Sequence, residues 1–265
     1  MADIGNKAGG KRPGALPEIR ALTVDDIRQS LSKGAADFAN CPIIGLVIAL
    51  VFVVIGLAIT TSLLVLHKPW LIYPFAIGFP LVGPFAAVGL YEVSRRLEAG
   101  QVPTPGEVLK VIWAQRRREV SWMAFVMLFV FWVWMYQIRL LMALILGRMS
   151  YATLDRFADL VLTTPEGWIF LGLGHVEGAA LALVLFSITV ISIPMLLDRE
   201  VDFITAMLTS IRTVLASPLV MLGWGLVVTL MVLAACVPFF LGLLVALPVL
   251  GHATWHLYRR AVVSD

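Results

Sequence analysis

The sequence predicts an all-α membrane protein with six transmembrane helices. Residues 42–66 include no ionisable side chain in twenty-five positions, and several other stretches are similarly apolar. At about 1.5 Å per residue, such a run forms a helix of roughly 37 Å, which is enough to cross a hydrocarbon core of about 30 Å. Composition agrees with this, because only 14% of the residues are charged, against about 25% in soluble domains.

Hydropathy and proline positions divide the chain into spans. The predicted spans are residues 42–66, 70–91, 120–147, 165–197, 218–236 and 238–258. The last two are separated at Pro238, because a helix rarely continues through proline without a kink. Residues 1–22 are polar and rich in Gly and Pro, so we expect a disordered cytoplasmic tail there, followed by an integral membrane domain over residues 23–265.

Basic residues orient the predicted spans. Sixteen of the twenty Lys and Arg residues fall in the segments on the side of the two termini, and three fall on the opposite side. Cytoplasmic loops carry an excess of Lys and Arg, so both termini are predicted to be cytoplasmic. We expect seven arginines beside the spans to form a lipid-facing basic cluster that binds anionic headgroups. They are Arg95, Arg96, Arg116, Arg117, Arg118, Arg259 and Arg260.

Three amphipathic segments precede pairs of spans and are too polar to cross, which is typical of helices at a membrane interface. Two spacings recur: Asp26 to Pro42 and Asp202 to Pro218 are both sixteen residues, and Pro84 to Arg95 and Pro248 to Arg259 are both eleven. We therefore predict three repeats of an interfacial helix plus a transmembrane hairpin, over about 23–96, 104–199 and 200–260. The middle repeat is diverged, and chance agreement is the alternative.

One passage resembles a known family. Gly83-Pro84-Phe85, followed by the run GLYEVSRRLEAG at residues 89–100, is similar to a signature of bacterial integral membrane proteins grouped as domain of unknown function 2189. The likeness extends from about Ile19 to the C-terminus. The resemblance implies a bacterial inner-membrane location and no established activity.

Some members of such families carry a label related to cytochrome c oxidase subunit I. Such a subunit needs six histidines for two haems and a copper ion. This chain has four histidines, namely His67, His175, His252 and His256. The oxidase label therefore does not apply to this chain.

Two ionisable residues lie inside predicted spans, where each costs about 2.5 to 3.5 kcal/mol near a helix centre. Arg139 and Glu177 fall at similar predicted depths in spans three and four. Three interpretations remain open: an intramembrane ion pair, an Arg139 side chain that snorkels to the interface while Glu177 touches water, and a proton or substrate pathway that includes His175.

The remaining candidate sites are weaker. Gly174 and Gly178 have a Gly-x-x-x-Gly spacing that allows close helix packing, although His175 and Glu177 beside them could form a ligand or proton site. His252 and His256 share one helix face and are predicted to anchor the end of the last span at the membrane interface, with metal binding as the weaker alternative. We expect no metal or cofactor, and free thiols at the two cysteines.

No catalytic motif is present, so we expect a non-enzymatic membrane protein. The leading hypothesis is a scaffold or accessory of a larger complex, or a role in envelope maintenance. The alternatives are a transporter of small solutes or lipids, suggested by the repeats and proline-interrupted spans, and a haem or metal protein. The expected partners are membrane lipids and a membrane protein or a second copy of the chain. Nucleic acid is not expected, because the basic residues follow the membrane edges.

Overall fold

A computed structural model of the chain describes residues 16–65, 72–147 and 154–263. These residues form α-helices and no β-strand. The helices are α1 (Val24–Asn40), α2 (Pro42–Leu64), α3 (Ile72–Glu98), α4 (Pro105–Gln115), α5 (Val120–Leu141), α6 (Leu154–Thr163), α7 (Pro165–Thr189), α8 (Ser192–Asp198), α9 (Phe203–Ala216), α10 (Pro218–Cys236) and α11 (Leu243–Ala261). Helix α5 continues as a π-helical turn, Met142–Leu146. The predicted all-α class is confirmed.

Four of the described helical stretches are long and apolar enough to cross a membrane. They are Pro42–Leu64, Val120–Leu146, Pro165–Asp198 and Pro218–Cys236. The predicted spans 70–91 and 238–258 fall on α3 and α11, which are helical but end in charged and polar turns. The described residues therefore support a membrane protein with several apolar helices, and the count of six spans stays a prediction.

Proline lies at two breaks between helices. Helix α7 ends one turn before Pro194, and the chain resumes as α8, because proline lacks an N–H and its ring clashes with the carbonyl four residues earlier. The backbone N–H of Ile191 at this break donates to Ser210 Oγ at 3.2 Å. At Pro238 the break is longer than predicted, since α11 begins at Leu243.

The three amphipathic segments form helices, α1, α4 and α9. The junctions after α1 and α9 have nearly the same backbone: Cys41 has φ −138° and ψ 63°, and Ser217 has φ −142° and ψ 60°. A proline begins the next helix in both cases. The junction after α4 differs, because Arg116–Glu119 forms a turn before α5.

Each of the three amphipathic helices packs on a helix that lies outside its own pair of predicted spans. Helix α1 packs on α11, α4 packs on α3, and α9 packs on α7 and α8. Helices α3, α8 and α11 also contact one another, and they contribute much of the largest hydrophobic core. We call the end of the molecule that holds α1, α4, α9 and the C-terminal turns of α3, α8 and α11 the polar end.

Two segments differ in detail from the sequence expectations. Helix α6 was not predicted; it packs on α7 through Leu160, Val161 and Phe170 and we call this side of the molecule the α6 end. The predicted disordered tail includes residues 1–15, which lie outside the described residues. Residues 16–22 run beside the chain after α11, where the backbone N–H of Arg20 donates to the carbonyl of Ala261 at 2.8 Å.

Candidate functional site

The signature run at residues 89–100 forms the last turns of α3 at the polar end. The side chain of Glu92 in this run is fully buried. It accepts from Arg95 Nε at 2.7 Å and from Arg96 Nε at 2.6 Å. Arg96 also reaches Glu107 of α4 at 3.0 Å. Glu92 thus pairs with two arginines of its own helix, and Arg96 links the end of α3 to α4.

Two further carboxylates join α3 and α8 to α11. Glu98 accepts from Trp255 Nε1 at 3.2 Å, and its carboxylate lies 3.3 Å from Arg259 Nε. Asp198, the last residue of α8, accepts from Tyr258 OH at 2.7 Å and from Arg259 Nη1 at 3.2 Å. Arg259 therefore lies between the C-terminal ends of α3 and α8 and holds both of them against α11.

Helix α1 is fixed to the same end through Asp26. This residue completes a capping box with Thr23, and its carboxylate also accepts from Arg20 at 2.8 Å and from Arg260 at 3.0 Å. Arg260 donates a second hydrogen bond to Gln29 at 2.6 Å. A helix cap and an interhelical ion pair thus use the same carboxylate.

A second polar cluster lies one to two turns deeper along α11. His256 Nε2 is 2.7 Å from Asp37 Oδ2 of α1, and His252 Nδ1 is 2.8 Å from Ser94 Oγ of α3. Ser94 also hydrogen-bonds the Asp37 carboxylate. We call these four residues the His–Ser–Asp cluster. It joins α1, α3 and α11, and Ser94 and His252 have no exposed surface.

Two of the three acids of α1, Asp26 and Asp37, are held ionised by their partners. Burial alone would raise the pKa of Asp26, but hydrogen bonds from Arg20, Thr23 and Arg260 hold it well below its ordinary value. Burial acts in the same direction on Asp37, and hydrogen bonds from His256 and Ser94 outweigh it, so the pKa of Asp37 is also lowered. Both carboxylates therefore remain acceptors at neutral pH.

The geometry of the polar end favours a structural role over catalysis. Ser94, His252 and Asp37 have the residue types of a nucleophile, a base and an orienting acid, but Ser94 is fully buried among packed helices and a substrate could not reach it. The described residues contain no group of three or more His, Cys, Asp and Glu side chains that could hold a metal ion. His252 and His256 instead contact separate protein partners.

The structure divides the seven arginines of the predicted basic cluster. Those on α3 and α11 engage the carboxylates described above. Arg118 lies 3.9 Å from Glu200, a carboxylate that is almost fully exposed. Arg116 and Arg117 pair with no carboxylate among the described residues, and the Arg116 guanidinium stacks 3.1 Å from the ring centre of the exposed Trp113.

The candidate residues inside the membrane lie on the α5–α7 hairpin. Arg139 is exposed and Glu177 is half-buried, and no ion pair joins them within the described ranges. His175 Nδ1 donates to the carbonyl of Leu171, one turn earlier, at 2.7 Å. His175 also lines an open groove of about 690 Å³ between the two helices. We call this cavity the α5–α7 groove.

Comparison with known families supports the resemblance found in the signature run. Residues 72–198 match the family model described as predicted integral membrane protein, DUF2189. Over these residues the chain is similar to that family. The match covers α3 to α8, which is less of the chain than the sequence indicated. No curated protein and no solved structure matches the chain.

Several residues of the polar end were missed in the sequence. Asp37 and Ser94 were not singled out, and the two histidines of α11 were assigned to an interface although both are buried. A local signal existed only for Glu92, because its arginine partners lie three and four residues later on one helix face. The partners of Asp37 lie on α3 and α11, and no spacing in the sequence indicates such a contact.

Proposed function

We propose that the chain is a non-enzymatic, multi-pass protein of the bacterial inner membrane that acts as a scaffold or accessory of a membrane complex, or in envelope maintenance. One observation carries the proposal: five carboxylates at the polar end, of which Glu92 and Asp26 are buried, bind arginine, tryptophan, tyrosine and histidine side chains, most of them on neighbouring helices. The polar residues of the family signature are thus used to fix helices together. An end whose helices are fixed together in this way is consistent with a protein that acts as a scaffold for others.

The proposed architecture has six spans in three repeats, with both termini in the cytoplasm. The cyclic contacts support it, because each interfacial helix packs on the second membrane helix of the preceding unit: α1 on α11, α4 on α3, and α9 on α7 and α8. The matching junctions at Cys41 and Ser217 support it further. The excess of basic residues at the polar end supports a cytoplasmic location for that end.

Reporter fusions test this topology. Reporters placed after Asp265 and within residues 97–106 should read as cytoplasmic, and a reporter near Ala158 should read as periplasmic. A periplasmic reading at Asp265 would overturn the six-span architecture.

We also propose that anionic lipid binds at the C-terminal end of α4. Arg116 and Arg117 have no carboxylate partner among the described residues, and Trp113 beside them is exposed, as is usual for an aromatic residue at a membrane interface. Replacing both arginines with Gln should lower the amount of anionic lipid that co-purifies with the full chain, whereas replacing both with Lys should preserve it. Equal retention in all three proteins would refute this site.

The functional proposal is tested by purification in mild detergent followed by mass spectrometry and reconstitution. A scaffold should co-purify with a membrane protein in fixed stoichiometry, and liposomes that contain it should show no solute or lipid flux above empty liposomes. Flux above that control would overturn the proposal in favour of the transporter alternative. A haem absorbance band in the purified protein would favour the cofactor alternative.

A further inference from the structure

The turn between α10 and α11, residues 237–242, carries only apolar side chains. Over the longer range 230–251, Cys236 is the only residue whose side chain is not fully apolar. Three side chains of the turn are more than half exposed, namely Val237, Phe239 and Leu241. By contrast, α6 lies between α5 and α7 and exposes Asp155 and Asp159. Turns that meet water are rich in residues such as Asn, Asp and Ser, so the α10–α11 turn lacks the composition of a water-facing turn.

Contacts with α2 fix the depth of this turn. Helix α11 packs on α2, and an added Cβ at Gly45 of α2 would lie 2.9 Å from Pro248. Further along α2, an added Cβ at Gly56 would lie 2.7 Å from the ring of Phe240 in the turn. The turn is therefore level with Gly56, which lies about 21 Å from the start of α2. Helix α2 continues about 12 Å beyond this level before it ends.

The length of α11 gives the same result. Arg259 is the first charged residue of this helix, and it pairs with carboxylates of α3 and α8 at the polar end. From Leu243, where α11 begins, to Arg259 the helix extends about 24 Å. This is shorter than a hydrocarbon core of about 30 Å. Length alone would allow α10 to cross the membrane, but α10 leads into the same turn.

The backbone of the turn is suited to hydrocarbon. Phe239 and Phe240 have positive φ, 52° and 64°, which is uncommon for bulky residues. The N–H of Phe240 donates to the carbonyl of Cys236 at 3.1 Å, and the N–H of Leu243 donates to the carbonyl of Phe240 at 3.0 Å. The Phe240 ring also covers one side of the turn against α2. Irregular backbone at membrane depth requires internal hydrogen bonds and packing of this kind.

We propose that α10 and α11 form a re-entrant hairpin, which enters the membrane from the polar end and turns inside the farther half of the hydrocarbon core. Lipid chains of the farther leaflet cover Val237, Phe239 and Leu241, because the membrane that α2 crosses extends beyond the turn. This hairpin rests on the proposed topology and deepens it. Six helices enter the membrane and both termini stay on one side, but the last two helices turn back before the outer surface.

Spin labelling measures the depth of the turn in the full chain. Both native cysteines are replaced by alanine, a nitroxide is attached to the cysteine of Val237→Cys, and the protein is reconstituted in liposomes. The label should collide several-fold more often with oxygen, which dissolves in hydrocarbon, than with a water-soluble nickel chelate. It should also lie about 10 Å deeper than a label on Leu64→Cys, at the far end of α2.

Ala158→Cys is the matched control, because Ala158 is an exposed residue of the charged helix α6. Its label should collide more often with the nickel chelate. Equal access of the chelate to both labels would overturn the re-entrant hairpin in favour of a complete crossing. Low access of both reagents to the Val237 label would overturn the lipid contact, since protein would then cover the turn. Depth does not depend on which face is cytoplasmic, so failure here is distinguishable from failure of the reporter test.

A charge placed in the turn gives a second measurement. Val237→Asp puts a carboxylate into hydrocarbon, which is costly, so it should lower the amount of folded protein in the membrane several-fold. Ala158→Asp adds the same charge to α6 and should leave that amount unchanged. Equal amounts of the two variants would contradict a turn inside the membrane.

Discussion

The polar end and the α5–α7 hairpin are both helical, but they differ in how their side chains are buried and paired. At the polar end, charged groups of α1, α3, α8 and α11 are brought together and paired, and buried aromatic rings such as Trp255 pack between them. Along the hairpin, large apolar side chains including Phe129, Trp132 and Leu144 stay exposed. One region gains stability from specific interhelical contacts, whereas the other depends on the surrounding lipid for burial.

Among the substitutions considered, Glu92→Gln should cause the largest loss of stability, because it acts on the paired charges of the polar end. The substitution removes the charge of a fully buried carboxylate that two arginines contact. Loss of one partner of a buried ion pair costs about 3–5 kcal/mol, and the lower end applies because Arg95 and Arg96 are partly exposed. Thermal unfolding in detergent measures the effect.

Glu200→Gln provides the control, since it makes the same replacement at a side chain that is 96% exposed. It should change the free energy of unfolding by less than about 0.5 kcal/mol. Equal effects of the two variants would show that the Glu92 pairs contribute nothing specific to the polar end.

Gly34→Ala tests how closely α1 approaches α11. A Cβ at Gly34 would lie 2.6 Å from the backbone nitrogen of Ala253, so the two helices would have to separate. We expect a loss of about 1–3 kcal/mol by thermal unfolding, despite the higher helix propensity of alanine. Gly106→Ala on α4 meets no atom within 4 Å and should be neutral or slightly stabilising; a similar loss there would contradict the explanation.

Asp37→Asn tests the His–Ser–Asp cluster. The substitution weakens the acceptor for His256 and Ser94, and we expect a loss of about 1–3 kcal/mol at neutral pH. Because the folded-state pKa of Asp37 is lowered from 3.8, its stabilisation is present above that pH and is lost as the pH falls through the folded-state value. The unmodified protein should therefore lose more stability on acidification than the Asn variant, and identical pH profiles would refute the ionised pairing.

Arg139 and Glu177 give the smallest expected effect. The structure shows both on the hairpin with no ion pair between them, so Arg139→Leu and Glu177→Leu should add within about 0.5 kcal/mol in the double variant. The readout is thermal stability in detergent. A larger coupling would restore the intramembrane pair and would make the hairpin resemble the polar end.

The sequence by itself determined the membrane class, the three amphipathic helices and most helix boundaries. These features follow from local patterns: apolar run length, a helical stripe of apolar residues, and prolines such as Pro42 and Pro218 that begin helices. The sixth span was predicted to begin at Pro238, whereas α11 begins at Leu243. Hydropathy does not distinguish the apolar turn before Leu243 from helix. Local patterns also gave the signature run, and with it the resemblance to the family whose model matches residues 72–198.

Only the tertiary structure decided what the polar residues do. Asp37 and His256 are separated by 219 positions and meet at 2.7 Å, and Arg259 reaches carboxylates on two other helices. Such partners depend on which helix faces touch, a property of the packed chain that charge counting does not contain. The arginines of α3 and α11 therefore resemble lipid-binding residues in the sequence, whereas in the folded protein they hold its helices together.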